Sequence, residues 1–128
     1  MSLGYPNEAI DALWPERLRY RNDTAFWELI FKISDELSDA TRLHVAAENL
    51  YRIAPNKIKY SIDLAAILIS RRMQIETAIS LSYDALVRSP KNASIRINYG
   101  HALILAQRYG EAKTVLGSIN PHFLSTTD

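Results

Sequence analysis

The side chains that could hold a metal or act on a substrate are scattered in this sequence. His44, His101 and His122 have no second histidine or cysteine three or four positions away, the spacing that places two ligands on one helix face. Because a metal site needs three or four converging ligands, we interpret each histidine as a surface or packing residue and predict no metal site. The chain has no cysteine, which excludes disulfides and thiolate chemistry.

A short acidic cluster and two serines are the remaining candidates for chemistry. Asp35, Glu36 and Asp39 lack the oxygen-ligand spacing of a calcium-binding loop, and we interpret them as charges at a turn. Ser80 and Ser82 lack the sequence of a nucleophile elbow. The four glycines are dispersed, so no glycine-rich phosphate loop is present. The sequence therefore predicts a protein that is not an enzyme and has no cofactor.

Composition favours a helical domain. The chain has 128 residues, enough to bury a core, and its low counts of glycine (4) and proline (5) indicate few turns and long elements. No apolar run approaches the roughly 20 residues that span a bilayer. The first six residues lack the basic and apolar regions of a signal peptide. We expect a cytoplasmic protein, with an excised domain of a longer protein as the alternative.

Charge is unevenly distributed along the chain. Residues 1–51 contain five Lys/Arg against nine Asp/Glu, whereas residues 52–127 contain ten Lys/Arg against four Asp/Glu. One interpretation is that solvated helix faces simply differ in composition. The alternative is a polarised surface that steers an acidic partner.

An internal repeat organises most of the sequence. Pro55 and Pro90 each close an apolar stretch, and the segments that begin at Thr24, Lys59 and Ala93 align at steps of 35 and 34 residues. In this overlay Trp27 lies over Ile62, Ile30 over Ala65 and Tyr99, Ala66 over Gly100, and Ala78 over Ala112. Two helices of about 14 residues and two turns fill such a period. One hairpin cannot bury its apolar stripe alone, so neighbouring hairpins are expected to stack.

Polar residues at helix starts agree with this period. Asn22-Asp23-Thr24, Ser38-Asp39 and Asn92 each precede apolar residues at helical spacing, as capping residues do. Tyr109-Gly110 is interpreted as the turn into the last helix. Together these signals predict six helices in three hairpins.

The repeated positions resemble those of the tetratricopeptide repeat family. The matching residues are Tyr99, Gly100, Ala112 and Leu116 in the third repeat, Ala66, Ala78, Ala85 and Pro90 in the second, and Trp27, Leu50 and Pro55 in the first. Phe31 and Leu43 depart from the family pattern, which has small residues where helices one repeat apart cross closely. The resemblance implies an all-α solenoid, a right-handed superhelix of antiparallel helix hairpins. It covers residues 24–122, as repeats 24–58, 59–92 and 93–122.

Segments outside the repeats are expected to cover or extend the array. Residues 1–23 are predicted to be a partly helical cap, in which Ile10, Leu13, Trp14 and Leu18 cover the first repeat, with a loose tail as the alternative. Residues 123–128 look like the start of a further helix. Because terminal repeats need a polar outer face, we expect either a chain cut from a longer protein or a homodimer through this uncapped end.

The resemblance implies that the first helix of each repeat lines a concave binding face. The residues predicted to line that face are Glu28, Lys32, Asp35, Tyr60, Asp63, Ile67, Ser94, Ile97, Asn98 and His101. This mixture of polar and apolar groups suits an extended or helical peptide. The predicted function is therefore a non-catalytic protein-interaction module, with simple solvation of these residues as the alternative.

Other binding modes fit the sequence less well. Co-chaperone members of the family bind a terminal carboxylate with Lys, Asn and Arg, and the corresponding positions here are Glu28, Lys32, Leu64, Ser94 and Asn98. Glu28 would repel a carboxylate, so this mode is excluded. A structural or self-association role within a larger protein is the main alternative. RNA binding is a weaker alternative, because the basic residues lie near helix ends and turns, not along one helix of each repeat.

Overall fold

Residues 5–117 are described by a computed structural model, and they form seven α-helices and one 3₁₀ helix with no strand. The elements are α1 (Pro6–Leu13), the 3₁₀ helix (Trp14–Glu16), α2 (Thr24–Glu36), α3 (Ala40–Ile53), α4 (Ile58–Arg71), α5 (Ile75–Arg88), α6 (Ala93–Leu105) and α7 (Tyr109–Gly117). The predicted all-helical class is confirmed. The predicted tail 123–128 and His122 lie outside the described residues. Among these helices, none has the length and apolar character required to cross a membrane.

Three of the helices begin at the capping residues that the sequence indicates. The side-chain oxygen of Asp23 accepts from the Phe26 amide (3.2 Å), that of Asp39 from the Arg42 amide (3.1 Å), and that of Asn92 from the Ile95 amide (3.1 Å). Each bond satisfies a donor of the first helical turn that has no partner within the helix. The predicted starts of α2, α3 and α6 are therefore confirmed.

The same backbone turn closes α2, α4 and α6. At each end a non-glycine residue adopts the left-handed conformation, namely Ser38 (φ 54°), Arg72 (φ 53°) and Gln107 (φ 63°). The amide of the following residue then bonds to a carbonyl five positions back, from Asp39 to Ser34 (2.9 Å), from Met73 to Leu68 (3.0 Å) and from Arg108 to Leu103 (2.8 Å). This is the Schellman pattern of a helix end. Since the left-handed residues follow one another at 34 and 35 positions, the sequence period is also a period of the backbone.

The second of these turns is one residue longer than the other two. One residue separates Ser38 from the start of α3, whereas two residues separate Arg72 from the start of α5, and the second of these, Gln74, is also left-handed (φ 47°). The first helices of the three repeats, α2, α4 and α6, therefore begin 34 and then 35 residues apart, whereas steps of 35 and then 34 were predicted. As a result Ala65, which is only 2% exposed, takes the small-residue position predicted for Ala66. Ala66 is exposed, so that prediction is wrong.

The predicted turn at Tyr109-Gly110 is also wrong. Both residues belong to α7, and the chain reverses two residues earlier, at Gln107. Glycine is not needed there, because the hydrogen bonds of the Schellman end hold Gln107 in the left-handed conformation.

By its contacts the chain divides into two compact units, residues 1–60 and 61–128. The core of the first unit is rich in aromatic residues. The Trp27 ring makes edge contacts with the rings of Trp14 and Phe26, at centroid distances of 6.4 and 5.1 Å. Ile10 of α1 is buried in the same cluster, whereas Leu18 is 77% exposed. The prediction that Leu18 covers the first repeat is therefore wrong.

In the second unit α6 packs against both α5 and α7. Ile95, Ala102 and Leu103 of α6 are buried. A Cβ atom at Gly100 would lie 2.6 Å from Cγ and Cδ2 of Leu116, so any side chain at position 100 would require the Leu116 side chain or α7 to shift. The close approach at this position is thus between the two helices of one hairpin, whereas the predicted close crossing of helices one repeat apart and the finer solenoid geometry stay predictions.

Candidate functional site

One face of α6 is left open by the helices that pack against it. Ser94, Ile97, His101 and Ile104 are exposed and recur every three or four positions, which places them along one side of the helix. Ile97 is 40% exposed and Ile104 is 41% exposed. These four residues are called the α6 stripe below. The stripe contains two apolar side chains seven positions apart, Ile97 and Ile104, together with the hydroxyl of Ser94 and the imidazole of His101.

The α6 stripe follows from the composition of the helix. Residues 102–105 read Ala-Leu-Ile-Leu, and isoleucine also stands at 95 and 97, so apolar side chains occur all round α6. A helix of this kind is normally buried on every side. Here α5 and α7 cover only part of it, and the isoleucines on the remaining side stay in solvent.

The predicted binding residues are found on three helices. Glu28, Lys32 and Asp35 are exposed on one side of α2, at intervals of four and three residues. On α4, Asp63 and Ile67 are partly exposed. On α6, Ser94, Ile97 and His101 are exposed, and Asn98 beside them is partly exposed.

One predicted binding residue is wrong. Tyr60 is buried in the core of the first unit together with Ile33, so its ring cannot meet a partner. Its hydroxyl lies 3.4 Å from Nζ of Lys57, within hydrogen-bonding distance, and this amine also lies 4.8 Å from the ring centroid. The early aromatic of the second repeat is therefore part of the core.

Ile104 is exposed on this face but is not among the residues predicted from the sequence. Its position could have been found from the helical period, because it lies seven residues after Ile97 and therefore on nearly the same side of α6. The family pattern drew attention to positions nearer the start of the helix.

An ion-pair cluster stands beside the end of α6. Arg108, in the turn after α6, donates from Nε and Nη2 to the two carboxylate oxygens of Glu111, at 2.8 and 2.7 Å. Its Nη1 lies 3.7 Å from the carboxylate of Glu76 on α5. Tyr99 and Tyr83 join α6 to α5 through a ring contact of 6.0 Å. Partial burial, and secondarily the negative charge of Glu111, raise the pKa of Tyr99.

The ion pair predicts a small effect of acid on stability. The bonds from Arg108 lower the pKa of Glu111 below its ordinary value of 4.5. A carboxyl whose pKa is depressed by folding stabilises the folded chain above its unfolded pKa, and that contribution is lost as pH falls through the folded pKa. We expect Glu111→Gln to lower stability slightly at neutral pH, and the difference from wild type to shrink as pH falls below 4.5 and to vanish once it is below the lowered pKa of Glu111.

Denaturant unfolding of both proteins across this pH range measures the effect. Glu76→Gln is the matched control, because its carboxylate meets the same guanidinium only at 3.7 Å. A difference that is unchanged at low pH would show that the pairing of Glu111 does not stabilise the fold.

Histidines and acidic residues do not converge in the described part of the chain. Within residues 5–117 no group of three or more His, Asp or Glu side chains is placed to hold a metal ion. His44 is buried in α3, with Nε2 3.4 Å from a carboxylate oxygen of Glu48, while His101 belongs to the α6 stripe.

Known proteins give no further guide to this surface. Comparison with protein-family models, curated proteins and solved structures finds no match to this chain. The resemblance to tetratricopeptide repeats therefore rests on the residue pattern alone.

Proposed function

We propose that this chain is a non-catalytic protein-interaction module that binds a peptide segment of a partner protein along the α6 stripe. The observation that most supports the proposal is the exposure of Ile97 and Ile104 on a helix whose other sides are packed. Contiguous apolar surface bordered by polar groups is typical of interaction sites. Two apolar side chains seven residues apart match the anchor spacing of a helical ligand or the alternate side chains of an extended one.

The recurring turns support a solenoid of the tetratricopeptide type as the setting for this surface. In that arrangement the first helices of successive repeats offer equivalent faces to a ligand, as the family resemblance implies. On α2 the equivalent face has Glu28, Lys32 and Asp35, which are exposed on one side of the helix. Charged groups of this kind contribute more to the specificity and association rate of an interface than to its affinity.

The proposal is tested with a library of short peptides displayed on phage and selected on the wild-type protein. The selected peptides are then measured against the double variant Ile97→Asp/Ile104→Asp by calorimetry. Because Ile97 is 40% and Ile104 41% exposed, each loses some apolar packing, and the variant is expected to be less stable than wild type but still folded. Circular dichroism under the conditions of the binding measurement checks that it is folded. Loss of two apolar anchors is expected to weaken binding at least about 30-fold.

Val87→Asp is the matched control. Val87 is 61% exposed on α5, outside the α6 stripe. The substitution Val87→Asp therefore removes a similar apolar surface elsewhere and should leave peptide affinity unchanged. Equal affinity of the selected peptides for the double variant would refute the proposal. Sedimentation of wild type would also refute it by showing a dimer that the double variant abolishes, since the stripe would then serve self-association.

A further inference from the structure

The first unit has a pocket of about 460 Å³ between the loop that precedes α2 and the helices α2 and α3. Three arginines line it, Arg17, Arg21 and Arg52, together with Asn49. The other lining residues are Leu18, Trp27 and Val45, which give the pocket an apolar part. Among residues 5–117, no aspartate or glutamate lines it. We call it the arginine pocket, and its volume is typical of small-ligand sites.

Neutral groups hold two of the three arginines in place. Arg52 donates from Nη1 to Oδ1 of Asn22 (2.9 Å), and from Nη2 to the Arg21 carbonyl (2.6 Å) and to Oδ1 of Asn49 (2.9 Å). Arg17 donates to the Trp14 carbonyl (2.9 Å), and its guanidinium lies 4.7 Å from the Trp14 ring centroid. These contacts orient both guanidinium groups and leave their positive charges unneutralised.

Several acidic residues of the surrounding elements are engaged elsewhere. Glu16 pairs with Arg19 (3.7 Å), Asp39 pairs with Arg42 (3.6 Å), and Asp23 caps α2. Within residues 5–117 no ion pair joins a carboxylate to Arg17, Arg21 or Arg52. Three like charges thus line one pocket in a unit whose overall charge is negative, and an anionic ligand would relieve their mutual repulsion.

The pocket is formed before any ligand arrives. The carbonyl of Arg21 accepts one hydrogen bond from Nε1 of the buried Trp27 (2.8 Å) and another from Nη2 of Arg52 (2.6 Å). The loop is therefore tied to α2 and α3 by the same residues that line the pocket. A site that is organised in this way loses little conformational entropy when it binds.

We propose that the arginine pocket binds a phosphate monoester attached to a small apolar group. A phosphate monoester has nearly two negative charges at neutral pH, so it neutralises three arginines more completely than a carboxylate, which has one negative charge. A guanidinium group can also donate two parallel hydrogen bonds to two oxygens of one phosphate. Leu18 and Val45 would contact the apolar group. The site belongs to a different unit from the α6 stripe and does not depend on the function proposed for that stripe.

Titration calorimetry at low ionic strength tests the proposal with phenyl phosphate, inorganic phosphate, benzoate and phenol as probes. Phenyl phosphate is expected to bind saturably, and benzoate at least about tenfold more weakly, because it has half the charge. Inorganic phosphate should also bind more weakly than phenyl phosphate, because it lacks the apolar group. Phenol should give no measurable binding, and affinity for phenyl phosphate should fall as salt is added.

Arg21→Gln is the decisive variant. The Arg21 side chain makes no hydrogen bond within the described residues, and its carbonyl, which ties down the loop, survives the change. We expect this variant to fold normally and to bind phenyl phosphate at least about tenfold more weakly. Arg19→Gln removes the same charge from the same loop but does not line the pocket, so it should bind as wild type. Arg52→Gln should abolish binding, and if it fails to fold, Arg21→Gln still decides the matter.

A short peptide that contains phosphotyrosine identifies the source of the phosphate group. Binding at least as tight as that of phenyl phosphate would support the proposal with a phosphorylated protein as ligand, and weaker binding would support it with a free small molecule. The proposal is overturned if phenyl phosphate gives no saturable binding, if benzoate binds equally well, or if Arg21→Gln and wild type have the same affinity.

Discussion

Replacing Gly100 with leucine is expected to lower the free energy of unfolding by about 3 kcal/mol, because the new side chain has no room between α6 and α7. Its Cβ alone would lie 2.6 Å from Cγ and Cδ2 of Leu116, so Leu116 or the whole of α7 must shift. The better helix propensity of leucine offsets the loss by less than about 1 kcal/mol. Chemical denaturation followed by circular dichroism measures the change.

Gly110 provides the matched control. It is exposed in α7, and within residues 5–117 no heavy atom other than those of its chain neighbours and its own helix backbone lies within 4 Å of the place that its Cβ would occupy. Gly110→Leu should therefore leave stability unchanged or raise it by up to about 1 kcal/mol. Shortening Leu116 to alanine should recover part of the loss in Gly100→Leu, since the two residues are in contact. If both glycine variants behaved alike, α6 and α7 would not be as close as described.

Replacing Trp27 with alanine should cost about 4 kcal/mol, the largest effect expected for any single residue of the first unit. Trp27 is buried at the centre of that unit, in edge contact with Trp14 and Phe26. Its Nε1 also donates a hydrogen bond to the Arg21 carbonyl in the loop that precedes α2. The substitution therefore removes both the packing of the ring and this hydrogen bond. Urea unfolding measures the loss.

Trp27→Phe separates these two contributions. Phenylalanine keeps a ring in the cavity but has no donor for the Arg21 carbonyl, which retains its bond from Arg52. We expect a loss of about 1 to 2 kcal/mol. A cost below about 1 kcal/mol for Trp27→Ala would be incompatible with a core centred on this residue.

The repeat period and the helix starts could be predicted because both are local properties of the sequence. Asp23, Asp39 and Asn92 each cap a helix through a bond to an amide three residues away, so neighbouring residues are sufficient to identify them. Apolar spacing likewise defines the helices, because the buried face of a helix is set by its own period.

The register of the second repeat could not be predicted from spacing alone. One extra residue in the turn after α4 changes the residue spacing between the first helices of the second and third repeats, α4 and α6. Nothing in the composition of Arg72-Met73-Gln74 indicates this extra residue. That single residue accounts for the error at Ala66. The turn at Gln107 was misplaced for a related reason, since glycine was expected where hydrogen bonds stabilise a left-handed glutamine.

The burial of Tyr60 and the arginine pocket could not be predicted from the sequence, because both depend on contacts between residues that are far apart in the chain. Tyr60 was placed on a binding face from its helix position, although its burial depends on the packing of the first unit. The arginine pocket was not found, because Arg52 meets the loop at Arg21, which is 31 residues away in the chain. Ile104 is the exception, since the helical period alone could have added it to the stripe.

The location of the binding surface is tested most directly by NMR titration of the wild-type protein with a peptide selected on it. At 14.5 kDa the chain is small enough for residue-by-residue amide spectra. We predict that the largest shifts fall on Ser94, Ile97, His101 and Ile104. Shifts concentrated around Val87, or at the arginine pocket, with α6 unaffected, would contradict the account.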